Sequence, residues 1–178
     1  MGKSQYIIEF VGLSVGVHEF EFEVTDKFFK NIENSEITRA CVKVNAALTK
    51  QNNLLNMHFE IDGTVGIECD RCVKNFDLPI VSEEELVIKY GNPVESNDEI
   101  LVIAEGETQF DISQYLYEYI ILAIPARRVP CELDKTKFEC DQEMLDKLDE
   151  LNTTPVEGKE INNPMWEQLN KIKKFNQN

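Results

Sequence analysis

Long apolar runs are missing from this sequence, and no stretch approaches the ~20 residues that a helix needs to cross a bilayer. Basic residues are scarce as well. Eighteen Lys and Arg stand against 33 Asp and Glu, a net charge of −15. Affinity for nucleic acid comes mainly from clustered Lys and Arg, so the chain as a whole should repel a phosphate backbone and any RNA contact must be local or indirect. There is no Gly-rich phosphate loop, no metalloprotease helix and no serine elbow. The only two histidines, His18 and His58, fall within strand patterns and have no serine or cysteine nucleophile suggested beside them. Without a catalytic constellation, binding rather than catalysis is the expected mode of action.

Cysteines are few and odd in number, five in 178 residues. The first residues, Met1-Gly2-Lys3-Ser4-Gln5, run into a strand-like pattern without the apolar stretch and small-residue cleavage site of a secretory signal. Together these favour reduced thiols or a metal over a disulfide framework, and a soluble, cytoplasmic protein with no membrane partner is expected.

What is present suffices for one globular core. Apolar residues make up 42% of the chain and charged residues 29%, too apolar for wholesale disorder. The expected organisation is a domain over residues 1–151, then a linker and short C-terminal helix over 152–178. Acid is concentrated between Glu83 and Glu118, where ten carboxylates face the single base Lys89. That stretch reads either as a solvated face or as a docking surface for a basic partner.

Period-two alternation dominates the first half. Ile8 and Phe10, then Val17, Phe20, Phe22 and Val24 between Glu19, Glu21 and Glu23, predict two antiparallel strands joined near Gly12–Gly16. Thr25-Asp26 offers an N-cap for a short helical turn carrying Phe28 and Phe29. Ala40–Leu48 and Leu55–Ile61 read as a hairpin, continued past Gly63 by Val65, Ile67 and Cys69. Strand patterns resume at Phe76–Ile80, at Leu86–Tyr90 and at Ile100–Ile103. Ile112, Leu116, Tyr119, Ile120 and Ala123 recur at helical spacing until Pro125, and residues 141–148 have the spacing of a second helix. Strands first and helices later predict an α+β fold built on a mainly antiparallel sheet, with two late helices and a short C-terminal helical tail opened by Pro164.

Cys69-x-x-Cys72 is the one local arrangement with inherent chemistry, because two intervening residues let both thiolates reach one tetrahedral ion. Cys131 and Cys140, in the connection between the two late helices, are the candidates to complete a four-cysteine zinc site. Unmetallated thiols are the alternative. A dithiol redox centre would want a helix after the pair, and a strand pattern follows instead. Cys41, between Ala40 and Val42, reads as a small packing residue.

Three features resemble the YceD-like family of large-subunit ribosomal RNA accumulation proteins. Ile67-Glu68-Cys69-Asp70-Arg71-Cys72-Val73 is similar to that family's core motif, a strand running into Cys-x-Arg-Cys and then a strand. The order that follows is similar too: an acidic stretch, a helix ending at Ile124-Pro125, and a later cysteine opening residues 141–151. Asn163-Pro164-Met165-Trp166-Glu167-Gln168-Leu169 resembles the family's closing segment, with Asn163 and Met165 replacing its usual acidic and basic residues.

The resemblance implies a non-catalytic accessory factor for accumulation, processing or stability of large-subunit ribosomal RNA. Its expected partners are a ribosomal precursor particle, that RNA or a basic ribosomal protein, and no small-molecule substrate. If the fold joins the cysteine loops, Arg71, Lys74, Arg127 and Arg128 would form a small basic patch for RNA or a partner. Arg71 pairing with a carboxylate, or Arg127 and Arg128 complementing a helix end, are the structural alternatives. Trp166, the only tryptophan, either docks on its own domain or recognises a partner. A zinc- or redox-responsive regulator is the alternative function.

Overall fold

The computed structural model describes residues 5–52, 54–97, 100–130 and 138–152. The chain divides into two compact units, residues 1–141 and 142–178. In the second, helix α3 (Gln142–Asn152) is described; it carries the i,i+4 pair Lys147–Glu143 at 2.8 Å, which supports an exposed helix face. The expected helix after Pro164 lies outside the described residues.

The first unit is an α+β domain, as the element order predicts. Strands β1 (Ile7–Glu9) and β2 (Gly16–Thr25) lead to the short helix α1 (Asp26–Phe29). Strands β3 (Arg39–Lys50), β4 (Leu55–Glu68) and β5 (Asn75–Tyr90) form the antiparallel centre of a five-stranded sheet of order β2-β3-β4-β5-β6. The connection through a 3-10 turn at Pro93–Glu95 returns the chain so that β6 (Ile100–Ile103) runs alongside the end of β5 in the same direction, parallel to its neighbour. Strand β7 (Gln109–Asp111) and helix α2 (Ser113–Leu122) complete the unit.

Alternation decides the two faces of the sheet. Val42, Val44, Ala46 and Leu48 of β3 and Leu55, Met57, Phe59 and Ile61 of β4 are buried on one face, under α1, α2 and the β1–β7 pair. The Phe59 and Tyr119 rings meet at 5.4 Å and those of Phe10 and Phe110 at 5.5 Å, so aromatic contacts close the core. The opposite face is open to solvent along β2, β3, β4 and β5.

Three expectations need correcting. Strand β1 does not pair with β2; Ile8 faces Phe110 of β7, about a hundred positions on. The patterns at Phe76–Ile80 and Leu86–Tyr90 are one 16-residue strand, in which Ser82 and Glu84 occupy core-side positions only half-buried. Polar side chains there broke the apolar alternation without breaking the strand. Cys41 is exposed and packs in no core, because its odd parity to Ala40 and Val42 places it on the outer face.

Local capping at α1 also differs from the sequence pattern. Thr25 precedes α1 without a side-chain capping bond; the carboxylate of Asp26 instead accepts the Ala40 N–H at 2.7 Å, tying α1 to β3. Asp111 accepts the Ser113 N–H at 2.8 Å at the start of α2, so one of the four free amides of that helix end is satisfied.

Candidate functional site

Cys69 and Cys72 sit in the turn that joins β4 to β5 at one end of the sheet. The turn is closed by its own backbone: Cys69 N–H donates to the Lys74 carbonyl at 3.0 Å, and Val73 N–H donates to the Cys69 carbonyl at 2.9 Å. To close this tightly, Val73 adopts φ 60°, a left-handed conformation that a β-branched residue avoids. No helix follows the pair, as the strand pattern predicts.

The chain beyond α2 returns to this turn. Asp70 N–H donates to the Arg128 carbonyl at 3.0 Å, and the Asp70 carboxylate accepts from Arg128 N–H at 2.6 Å and Nε at 3.0 Å. Phe138 packs on Phe76 at 5.4 Å between ring centroids, and the Lys74 ammonium lies 5.1 Å from the Phe138 centroid while donating to the Glu139 carbonyl. These contacts deliver Cys140, and the sulfurs of Cys69, Cys72 and Cys140 all lie within 4.8 Å of one another. Cys69 and Cys72 are buried and Cys140 is half-buried. Burial pushes the Cys72 thiol up, but hydrogen bonds from the Asp141 and Lys74 backbone and from Cys69 and Cys140 outweigh it and bring the thiol below its ordinary range. Cys131 lies outside the described residues, as does Trp166.

The chain carrying Arg127 and Arg128 meets the turn carrying Arg71 and Lys74, and Arg128 and Lys74 are occupied there. Arg128 pairs with Asp70 and with Glu36, and the hydrogen bond to Glu36, together with the Asp70 charge, raises its pKa further. Lys74 is engaged by Phe138 and Glu139. Arg71 and Arg127 are exposed. Glu36 gave no signal of its role, because the pairing spans 92 residues.

The open face of the sheet carries a feature that the reading of residues 83–118 missed. Glu21, Asn45, Glu60 and Glu83 lie in register across four strands, so three carboxylates stand in one row. Glu19 and Glu23 flank it on β2, Asp62 on β4 and Glu85 on β5, all exposed. Of the bases on this face, Lys43 stands opposite Glu23 and Asp62, His58 lies 4.0 Å from Glu85, and Arg39, farther along β3, is held by Asp77 at 3.0 Å. A depression of about 240 Å³ opens within the row, lined by Glu19, Glu21, Asn45, Ala47, His58 and Glu60. The signal was available in the sequence: glutamate at the alternate positions 19, 21 and 23 of β2 marks a solvent face of one sign. By contrast the acids of residues 83–118 are dispersed, with Glu84 on the core side of β5, Asp111 in β7 and Glu118 in α2.

A larger cavity, about 680 Å³, lies between α1, α2 and Tyr6, with Phe28, Ile32 and Tyr117 in its wall. Thr25, Lys27 and Ser113 also line it, and no cysteine, histidine or carboxylate does. Among the described residues no helix is long and apolar enough to cross a membrane.

No curated protein and no solved structure matches the chain. The alternative of a zinc- or redox-responsive regulator finds no support in the comparisons. A family model does match, from Met57 within β4, through the cysteine turn and α2, to residue 173. Residues 57–173 cover more than half of the chain, which therefore belongs to the family described as large ribosomal RNA subunit accumulation protein YceD.

Proposed function

We propose that the chain is a non-catalytic accessory factor in the accumulation of large-subunit ribosomal RNA, and that it works by holding a basic ribosomal protein, free or on a precursor particle, against the open face of its sheet. The family supplies the first half of this reading. The observation that carries the second is the row Glu21, Glu60 and Glu83. Like charges directly opposed across strands, as Glu60 and Glu83 are, destabilise a sheet by a few tenths of a kcal/mol to about 1 kcal/mol. Stability does not account for such a row, whereas a Lys/Arg-rich partner would relieve it. The same field, with the net charge of −15, opposes a direct grip on bare RNA.

The test is capture from cells with both protein and RNA read out, before and after ribonuclease treatment, for the wild type and for Glu21→Gln, Glu60→Gln, Glu83→Gln combined. Wild-type capture of a basic large-subunit protein should survive ribonuclease. The triple variant should bind that purified protein roughly tenfold more weakly, from three exposed pairs of about 0.5 kcal/mol each. Its fold should be undisturbed. Capture that vanishes with ribonuclease, or unchanged affinity in the variant, would refute the reading.

A further inference from the structure

The three thiols at the sheet end have a geometry that neither hydrophobic packing nor disulfide chemistry requires. A disulfide uses two cysteines with sulfurs about 2.05 Å apart; here three converge, and none is bonded to another. Thiolates on one tetrahedral zinc ion lie about 3.8 Å apart, given a Zn–S bond of about 2.3 Å. Sulfurs already within 4.8 Å of one another need shift by no more than about 1 Å to reach that spacing. An iron–sulfur cluster, which interposes several atoms between its ligands, would spread them wider.

Two further observations point the same way. Cys69 Sγ accepts the Arg71 N–H at 3.4 Å, so a donor is already aimed at that sulfur as it would be at a thiolate. Val73, held at φ 60°, costs roughly 1–2 kcal/mol. Its side chain is 57% exposed, so its own burial does not offset that cost. A metal bonded across the turn would hold the conformation in place.

We propose that Cys69, Cys72 and Cys140 bind one zinc ion through their thiolates, joining the β4–β5 turn to the segment that returns at residues 138–140. Each thiol gives its proton to water as it ligates, and zinc is neither oxidised nor reduced. Tetrahedral zinc takes four donors, of which the described residues supply these three. The role is structural: the ion would add to the Phe76–Phe138, Lys74–Phe138 and Lys74–Glu139 contacts that bring Cys140 to the turn.

The test starts from metal analysis of the full chain purified without chelator and of the same chain refolded with zinc. One equivalent of zinc per chain is expected. Cys69→Ser, Cys72→Ser and Cys140→Ser should each weaken zinc binding at least about tenfold. Cys41→Ser, exposed on the outer face, should leave it unchanged. Because the buried variants risk misfolding, peptide-resolved alkylation of the wild type provides a second readout. Zinc should protect Cys69, Cys72 and Cys140 and leave Cys41 reactive, and a strong chelator should abolish the protection. Absence of zinc even after refolding with it, iron in its place, full zinc content in Cys140→Ser, or identical alkylation with and without zinc would overturn the proposal.

Discussion

Removing the hydroxyl of Tyr119 should make this protein more stable. Tyr119 lies on the face of α2 that packs on the sheet, 5% exposed, with its ring 5.4 Å from that of Phe59. Its hydroxyl oxygen is buried without a hydrogen-bond partner. Such a group loses its water contacts on folding and regains nothing, at a cost of about 1–3 kcal/mol. Tyr119→Phe keeps the ring and its contacts while leaving a gap of one oxygen, so the expected gain is at the low end, about 1 kcal/mol. For a domain of this size that is about 2–4 °C in Tm.

The pH dependence gives an independent signature. Burial first, and then the neighbouring Glu84, Tyr115 and Glu118, raise the Tyr119 pKa well above its ordinary value of 10.0. Above about pH 10 the unfolded chain releases this proton while the folded chain keeps it, so the unfolded state is favoured and stability falls as pH rises, by up to about 1.4 kcal/mol per pH unit. Below pH 10 both states keep the proton and the group adds no slope. The advantage of Tyr119→Phe should therefore be constant at neutral pH and grow beyond pH 10. Tyr6, also raised by burial, adds its own alkaline slope to both proteins and cancels in the difference. Urea titrations followed by circular dichroism at pH 7 and across pH 10–11.5 measure both effects, with an unchanged m-value as the control. A lower midpoint for the variant at pH 7, or parallel alkaline slopes, would refute the reasoning and show that the hydroxyl has a partner in solution.

Other consequences are as direct. Gly63→Ala should destabilise the sheet by about 1–3 kcal/mol or more, because a Cβ there would stand 2.4 Å from the Cys41 carbonyl oxygen and 2.6 Å from Val42 Cα, backbone atoms that cannot swing aside. A urea midpoint equal to wild type would show that β3 and β4 separate without cost. Lys50→Met should cost about 1.5–3 kcal/mol, since the ammonium donates to the Phe10 and Leu13 carbonyls at 2.9 Å each and to Val11 at 3.4 Å. Equal thermal stability of the two proteins would mean that water replaces those bonds.

Much of the fold was legible from local pattern alone. The side of each strand that faces the core follows from period-two alternation, which needs no knowledge of the partner strand, and Ala40–Leu48 and Leu55–Ile61 were placed as a hairpin on that basis. The helix before Pro125 and the turn at Cys69-x-x-Cys72 followed in the same way, because helix spacing and the interruption of a strand pattern are written within a few residues. The resemblance to the ribosomal RNA accumulation family rested on the same short motifs and their order, and the family match agrees with it.

Partner choice was not legible. Alternation says that Ile8 must be buried but not against what, and the tertiary structure pairs β1 with β7 and lays β6 parallel to β5 because burial is satisfied by the whole sheet at once. The same holds for the sites. Carboxylates adjacent in sequence between Glu83 and Glu118 scatter over several elements, whereas Glu21, Glu60 and Glu83, distant in sequence, align because strands place side chains of like parity on one face. Arg128 is drawn to Glu36 and Asp70, and Cys140 reaches Cys69 and Cys72, through contacts between segments some 60 to 90 residues apart. The sequence by itself determined which groups were available and which way each strand faced; only the packing of the sheet against its helices decided which of those groups meet.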